Sequence, residues 1–255
     1  MQILLSNDDG ILAPGILAMY NALAEGHTVD VVAPASVQSA AAHAITIRHP
    51  LICHRVHVGG RFHGTSVEGS PADCVKLAVH SLLPQRPDLV VSGINAGANV
   101  GIHVLYSGTV AAAAEGAILG LPAIAVSLEY SAEMDFDRAG AIARQVIDRI
   151  IERGLAPGHL YNVNIPALRA GWPRGVRVAP QSTLGLDEHF IQRADPNGRD
   201  YYWLSGEFGD SSGERDTDLC LLREGYVTVT PLQFDLTHVS RLSAMRDWPW
   251  PEVST

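Results

Sequence analysis

Apolar and polar positions along the chain follow two alternating periods. Gln2 to Ser6 (QILLS) is a short apolar run that ends on Asn7-Asp8-Asp9-Gly10, and Pro14 with the spaced residues Ile16, Leu17, Tyr20 and Leu23 follows it. A continuous apolar run of this length predicts a strand buried on both faces, and the wider spacing after a proline predicts a helix. The unit recurs. Thr28 to Ala33 (TVDVVA), Asp88 to Ser92 (DLVVS), Ala123 to Leu128 (AIAVSL) and Leu160 to Ile165 (LYNVNI) read as strands, while Pro71 to Leu83, Thr109 to Leu119 and Asp137 to Arg153 read as helices. Such alternation predicts an α/β fold, a doubly wound and mostly parallel sheet with helices on both faces.

Two stretches depart from the rhythm. His43 to Thr65 is rich in β-branched residues and histidine and predicts extra strands on one sheet edge. After Ala167 the chain turns to prolines, glycines and all four tryptophans, with strand-like pieces at Val176 to Ala179, Tyr201 to Leu204 and Tyr226 to Thr230. This part reads as an excursion with a β-hairpin arm, followed by a short C-terminal helix over Leu236 to Arg246 and the tail WPWPEVST.

Composition narrows the classes. With 47% hydrophobic and 18% charged residues in 255, the chain has the make-up of a packed globular protein, not of a disordered tail or coiled coil. Its net charge of −9 opposes duplex nucleic acid and anionic membrane, whereas a small phosphorylated ligand stays compatible if a divalent cation reverses the local field. Cys53, Cys74 and Cys220 form no CxxC pair and are odd in number, which argues against a disulfide framework or zinc knuckle. MQILLSNDDG lacks a basic leader, and the most apolar window, Val110 to Leu128, contains Glu115 and Pro122. The expectation is a cytoplasmic protein with no membrane span.

Chemistry concentrates in the loops after strands. Asp8 and Asp9 directly follow the first strand, at the carboxyl end where open α/β sheets bind ligands. Two adjacent carboxylates repel; a hard divalent cation such as Mg²⁺ or Mn²⁺ relieves this, as does protonation of one of them, and the bland alternative is a solvated turn with an aspartate capping the helix. No G-x-G-x-x-G follows the strand, and Asn7 stands where an aspartyl-phosphate phosphatase would carry its nucleophile. Pro87 to Val110 runs from a buried strand into a glycine-rich loop bearing Asn95 and Asn99, and then into a helix opening at Ser107-Gly108-Thr109. That terminus suits a phosphate, or is an ordinary glycine turn capped by Ser107. Ser39 lies in a loop on the same sheet edge as Asp8. No G-x-S-x-G elbow surrounds it, and His43, His49, His54, His57 and His63 lack metal-ligand periodicity and read as surface or packing residues.

Taken in order, SNDDGILAPG, APASVQSA, GSPADCVKLA, VVSGINAGANVG, YSGTVAAAAEGAILGLPAIAVSL, NVNIP and GYVTVTPLQFDLT resemble the stationary-phase survival protein SurE family of metal-dependent 5′/3′-nucleotidases, from the first residue to Thr237. The resemblance implies a Rossmann-like core and one divalent cation per subunit, Mg²⁺ or Mn²⁺ with Ca²⁺ as a crystal occupant, held by Asp8, Asp9, Ser39 and Asn95. It also implies phosphate contacts from Asn99, Ser107, Gly108 and Thr109. Asp8, Asp9 and Asn95 would carry the chemistry, on nucleoside 5′- and 3′-monophosphates and also on short polyphosphate. A homodimer or homotetramer through C-terminal segments is implied too, so residues 1–167 are expected to form the α/β catalytic core and 168–255 the hairpin arm, returning strand and oligomerisation segment. Three positions depart from the family pattern: Ala40 in place of glycine, which strains a left-handed backbone, Ser70 in place of threonine, and His103 in a stretch that is commonly acidic. The alternative class is a non-catalytic Mg²⁺-binding signalling or interaction module. A receiver domain would need a later lysine, and the single lysine, Lys76, falls in a predicted helix.

Overall fold

A computed structural model of the chain describes residues 1–184, 186–208 and 215–253, and of 186, 187, 207 and 208 the backbone only. The elements run β1 (Gln2–Ser6), α1 (Pro14–Ala24), β2 (Thr28–Pro34), β3 (Cys53–Val58), β4 (Phe62–Val67), α2 (Pro71–Leu77), β5 (Leu89–Ala96), α3 (Gly108–Ile118) and β6 (Ala123–Leu128). They continue as α4 (Phe136–Arg153), β7 (Leu160–Ile165), β8 (Val176–Val178), β9 (Leu186–Ala194), β10 (Asp200–Phe208), α5 (Asp218–Arg223), β11 (Val227–Leu232) and α6 (Val239–Arg246).

Among the described residues one sheet has the order β3-β4-β2-β1-β5-β6-β7-β11-β8, and β9 pairs only with β10. Strand β1 shows why its sequence is continuously apolar. Ile3 and Leu5 point into the core shared with α1 and α4, and Leu4 points into the opposite core with α2 and α3. Helix α3 is buried at ten of its eleven positions, Gly108 to Ala117, and its alanines let it lie close on the sheet. The sheet is parallel from β4 through β2, β1, β5 and β6 to β7, and the antiparallel pairs are β3 with β4 and β11 with β7. The chain leaves β1 toward β2 on one side and β5 toward β6 on the other, so a crevice opens where the carboxyl ends of β1 and β5 diverge.

Local features aim residues into that crevice. The β5 register against β6 shifts between Ser92 and Asn95, a bulge that re-aims the strand end. Gly93 sits there at φ +135°, and a Cβ on it would lie 2.2 Å from the Val126 carbonyl, so no other residue fits without moving β6. Ser70 and Asp73 form a reciprocal capping box on α2, with Asp73 N–H donating to Ser70 Oγ at 3.1 Å and Ser70 N–H to Asp73 at 2.9 Å. Ser107 caps α3 by accepting from Val110 N–H at 3.1 Å.

Helix α5 is not read from the sequence, the α-helix of α2 ends at Leu77 and not at Leu83, and the structure differs from the sequence reading in three further places. The edge strands occupy only 53–58 and 62–67; ahead of them His43, Ala44 and Thr46 bond to Glu115 of α3 and to the capping box of α2 instead of to a strand. Strand β5 runs on to Ala96, through glycines that pattern reading treats as loop. The arm has a partner strand, β9, whose charged and polar residues hide it from an apolar-period search. No helix among the described residues is long and apolar enough to cross a membrane.

Gly15, in the first turn of α1, packs so closely on β5 that a Cβ there would sit 1.9 Å from the Ile94 carbonyl oxygen. Gly15→Ala is therefore expected to cost about 1–3 kcal/mol through forced displacement of α1, lowering Tm by about 2–10 °C. Calorimetry that finds an unchanged Tm would show that the contact is slack.

Candidate active site

Three loops converge on the crevice. The turn after β1, the loop after β2 and the segment from Asn95 to Ser107 line a cavity of about 690 Å³, to which Asp8, Asp9, Ser39, Asn95, Asn99 and Ser107 all contribute. Gly108 and Thr109 stand immediately behind that lining. A Cβ on Gly108 would lie 2.8 Å from Asp8 Cβ, so the glycine is what lets the start of α3 approach the aspartate. The Thr109 hydroxyl donates to Asp8 Oδ1, so this side chain serves the carboxylate directly.

Each acidic residue is fixed by backbone groups of another loop. Asn7 Nδ2 donates to the Gly10 carbonyl at 2.9 Å and closes the turn, and Gln38 N–H donates to the Asp8 carbonyl at 2.8 Å, laying the Ser39 loop alongside. Asp9 Oδ2 accepts from Ala96 N–H at 3.0 Å. Asn95 commits Nδ2 to the Gly97 carbonyl at 2.7 Å, which turns its Oδ1 away from that contact. Asp8 is 6% exposed, and burial, with the Thr109 hydroxyl opposing and the Asp9 charge adding, pushes its carboxyl up to about 6. Two carboxylates and neutral oxygens of Asn95 and Ser39 around one cavity form a hard-donor set that fits a divalent cation such as Mg²⁺ or Mn²⁺. Among the described residues no three His, Cys, Asp or Glu side chains cluster.

Asn99 is held from behind. Its N–H donates to Asn164 Oδ1 at 2.7 Å and its Nδ2 to Ser127 Oγ at 2.8 Å, while its carbonyl accepts from Asn162 Nδ2 at 2.7 Å. Asn162, Asn164 and Ser127 are wholly buried at the ends of β6 and β7, so the NVN of β7 is a socket for the glycine-rich loop. From the other side Gly101 N–H donates to Asp218 Oδ2 at 3.0 Å and its carbonyl accepts from Gln181 at 2.8 Å.

The Ser39 loop adopts the left-handed conformation expected at Ala40, with φ +54°, and again at Ala42, with φ +50°. Each costs about 1–2 kcal/mol for a residue with a Cβ. Ala42 N–H donates to the Tyr106 carbonyl at 3.1 Å, and His43 Nε2 meets Glu115 Oε2 at 2.8 Å. His43 thus belongs to this loop's anchorage, whereas His57 and His63 stack on each other on the β3–β4 hairpin and line no part of the cavity.

Sequence reasoning missed the far wall. Tyr106, Glu188, Leu204, Ser205 and Gly206 complete the cavity with His103, and four of these come from the β9–β10 arm. Burial holds the His103 imidazole below its usual range, with Glu188 opposing. No local motif marks these arm residues; the signal is the pairing of Gly206 opposite Glu188 across the hairpin, which exists only once β9 is recognised.

Residues 3–187 match the family model for survival protein SurE. The chain is similar to a 5′-nucleotidase SurE of Rhodopirellula baltica, with 48% identity over 97% of this chain and 98% of that protein. It is also similar to one of Syntrophobacter fumaroxidans, with 44% identity over 97% and 99%. The crystal structure of the SurE protein from Aquifex aeolicus superposes with a TM-score of 0.84 at 37% identity, covering 96% of this chain and 98% of that one.

Burial of Asp8 makes metal-free stability depend on pH. Its folded value of about 6 lies above the ordinary 3.8, so the folded state holds the proton more tightly; the contribution of Asp8 to stability is fully present below pH 4 and about 3 kcal/mol of it is lost as pH rises through 6. Asp8→Asn is therefore expected to raise Tm in EDTA at pH 8 and to leave it unchanged at pH 4. Paired melts with equal shifts at both pH values would disprove that account.

Proposed function

This chain belongs to the SurE survival protein family, and we propose on that footing the following reading: it is a metal-dependent nucleotidase that hydrolyses nucleoside monophosphates at the β1–β5 crevice. The observation that carries the assignment of the site is the meeting of Asp8, Asp9, Ser39 and Asn95 with the capped start of α3 around one cavity. Asp8, Asp9, Asn95 and Ser39 hold the cation, Mg²⁺ or Mn²⁺ by their donor chemistry, one per subunit. A divalent cation there supplies Lewis acidity toward a phosphoryl group and toward water.

The chain's own groups do the rest. Asn99 and Ser107 hold the equatorial phosphoryl oxygens, aided by the positive end of α3 beginning at Gly108 and Thr109. Asp9, its orientation fixed by Ala96 N–H, takes the proton of the attacking water as the new P–O bond forms; the ester P–O bond breaks, and the proton taken by Asp9 is passed to the leaving oxygen, so that the nucleoside departs as its hydroxyl form and Asp9 is again a carboxylate. Thr109 keeps Asp8 in place. The far wall, Tyr106 beside Leu204 and Ser205 of the arm, gives the nucleoside an apolar and hydrogen-bonding face. The terminal phosphoryl group of a short polyphosphate presents the same oxygens and is a second substrate of this reading.

Self-association belongs to the same proposal, with residues 1–167 as the catalytic core and 168–255 as arm, returning strand and association segment. Its support is exposed apolar surface: α6 buries none of its residues, and Phe190, Trp203, Leu236 and Trp250 are all exposed. A two-stranded ribbon and a tail this apolar are unstable against water and call for a partner surface, which a second copy provides. Cytoplasmic residence is supported by three cysteines that form no disulfide.

Phosphate release from a panel of nucleoside 5′- and 3′-monophosphates and tripolyphosphate is expected to vanish in EDTA and to return with Mn²⁺ or Mg²⁺. Asp9→Asn is expected to lower kcat by at least 100-fold with a normal melt. EDTA-resistant turnover would refute the metal reading. Truncation after Leu232 is expected to leave the α/β fold intact by circular dichroism while shifting light-scattering mass to a smaller species. A full-length protein that is monomeric at tens of micromolar would refute self-association.

A further inference from the structure

The loop that carries Ser39 has no secondary structure from Ala35 to Ile52, yet it must hold a side chain at the cavity rim. Backbone contacts fix points along it: Gln38 N–H on the Asp8 carbonyl, Ala42 N–H on the Tyr106 carbonyl, the Ala44 carbonyl under Ser70 Oγ at 2.6 Å and Thr46 N–H on Asp73 at 2.8 Å. Between the first two lie Ser39 and the left-handed Ala40, with left-handed Ala42 next. A segment strained at two residues relaxes unless something holds it.

His43 follows directly. Its imidazole is one-third exposed, but Nε2 reaches inward 2.8 Å to Glu115, whose side chain is 4% exposed among the alanines of α3. Lys76 from α2 also meets Glu115, at 2.5 Å. One cation is enough to balance one buried carboxylate, so the second contact, from a loop residue, does something other than neutralise it. Burial works to raise the Glu115 carboxyl and the bonds from His43 and Lys76 outweigh it, which keeps the group an anionic acceptor. Helix α3 begins at Gly108 against Asp8 and carries Glu115 two turns later. The His43–Glu115 contact therefore registers the Ser39 loop against the same rigid helix that faces Asp8.

We propose that His43 is a positioning residue for the metal site: by its hydrogen bond to Glu115 it holds the strained loop so that Ser39 stays at the cation. This rests on the reading of Asp8, Asp9, Ser39 and Asn95 as the metal ligands. The role is distinct from theirs, since His43 touches neither cation nor substrate.

Titration calorimetry with Mn²⁺ on the full-length protein, with kcat at saturating Mn²⁺ and Tm measured beside it, tests the idea. His43→Leu keeps the bulk and removes the nitrogen; its Mn²⁺ Kd is expected to rise at least fivefold, with kcat at saturation within threefold of wild type and Tm little changed. His43→Gln, whose amide nitrogen falls near the place of Nε2, is expected to return Kd to within twofold. Lys76→Met removes the other partner of Glu115 without touching the loop and is expected to leave Kd within twofold. Unchanged Kd in His43→Leu, failure of the glutamine to rescue, or an equal loss in Lys76→Met each overturns the proposal. Asp8→Asn separates the two levels: Mn²⁺ binding that survives this change overturns the metal reading itself, whatever the His43 variants show.

Discussion

Asp8 is nearly removed from water, yet its sequence neighbour is a second carboxylate, and the fold places both where β1 and β5 diverge. A buried carboxylate beside another is unfavourable unless something positive or hydrogen-bonding is supplied. The surrounding elements supply it from several directions: the Thr109 hydroxyl, the start of α3 and Ala96 N–H on Asp9. Gly108 is small because α3 must come this near, and Gly93 is small because β5 must bulge to bring Asn95 round.

Most of the α/β core was legible in the sequence because burial on both faces leaves an unmistakable mark, runs such as QILLS and AIAVSL that no amphipathic element shows. The polar residues at the strand ends were legible for a related reason, since a charged or amide side chain directly after such a run has little choice but to sit at the carboxyl edge. What could not be read is whatever depends on distant partners. The hydrogen bond from the Thr109 hydroxyl to Asp8, 101 positions away, leaves no trace in the local sequence. His43 looks like surface until Glu115 is found beneath it, 72 positions away. Strand β9, LDEHFIQRA, carries no clean alternation, because the ribbon it forms pairs with β10 alone and is outside the main sheet.

The glycine-rich loop illustrates how rigidity is imposed without secondary structure. Asn99 is fixed by three buried side chains from β6 and β7, and Gly101 two residues later by Asp218 and Gln181. Because Gln181 and Asp218 flank the arm in sequence, the arm's root and the glycine-rich loop share one hydrogen-bonded junction.

The cavity therefore has two kinds of wall. One is cut from the ends of buried strands, where altering a residue disturbs the cores on both faces of the sheet. The other, Glu188 and Leu204 to Gly206, sits on a ribbon whose two strands, among the described residues, pair only with each other. Changes there leave the main sheet and its two cores untouched. Over evolutionary time such a ribbon can be rewritten to admit a different leaving group while the hydrolytic apparatus stays as it is, which makes the arm the natural place to retune this enzyme by design.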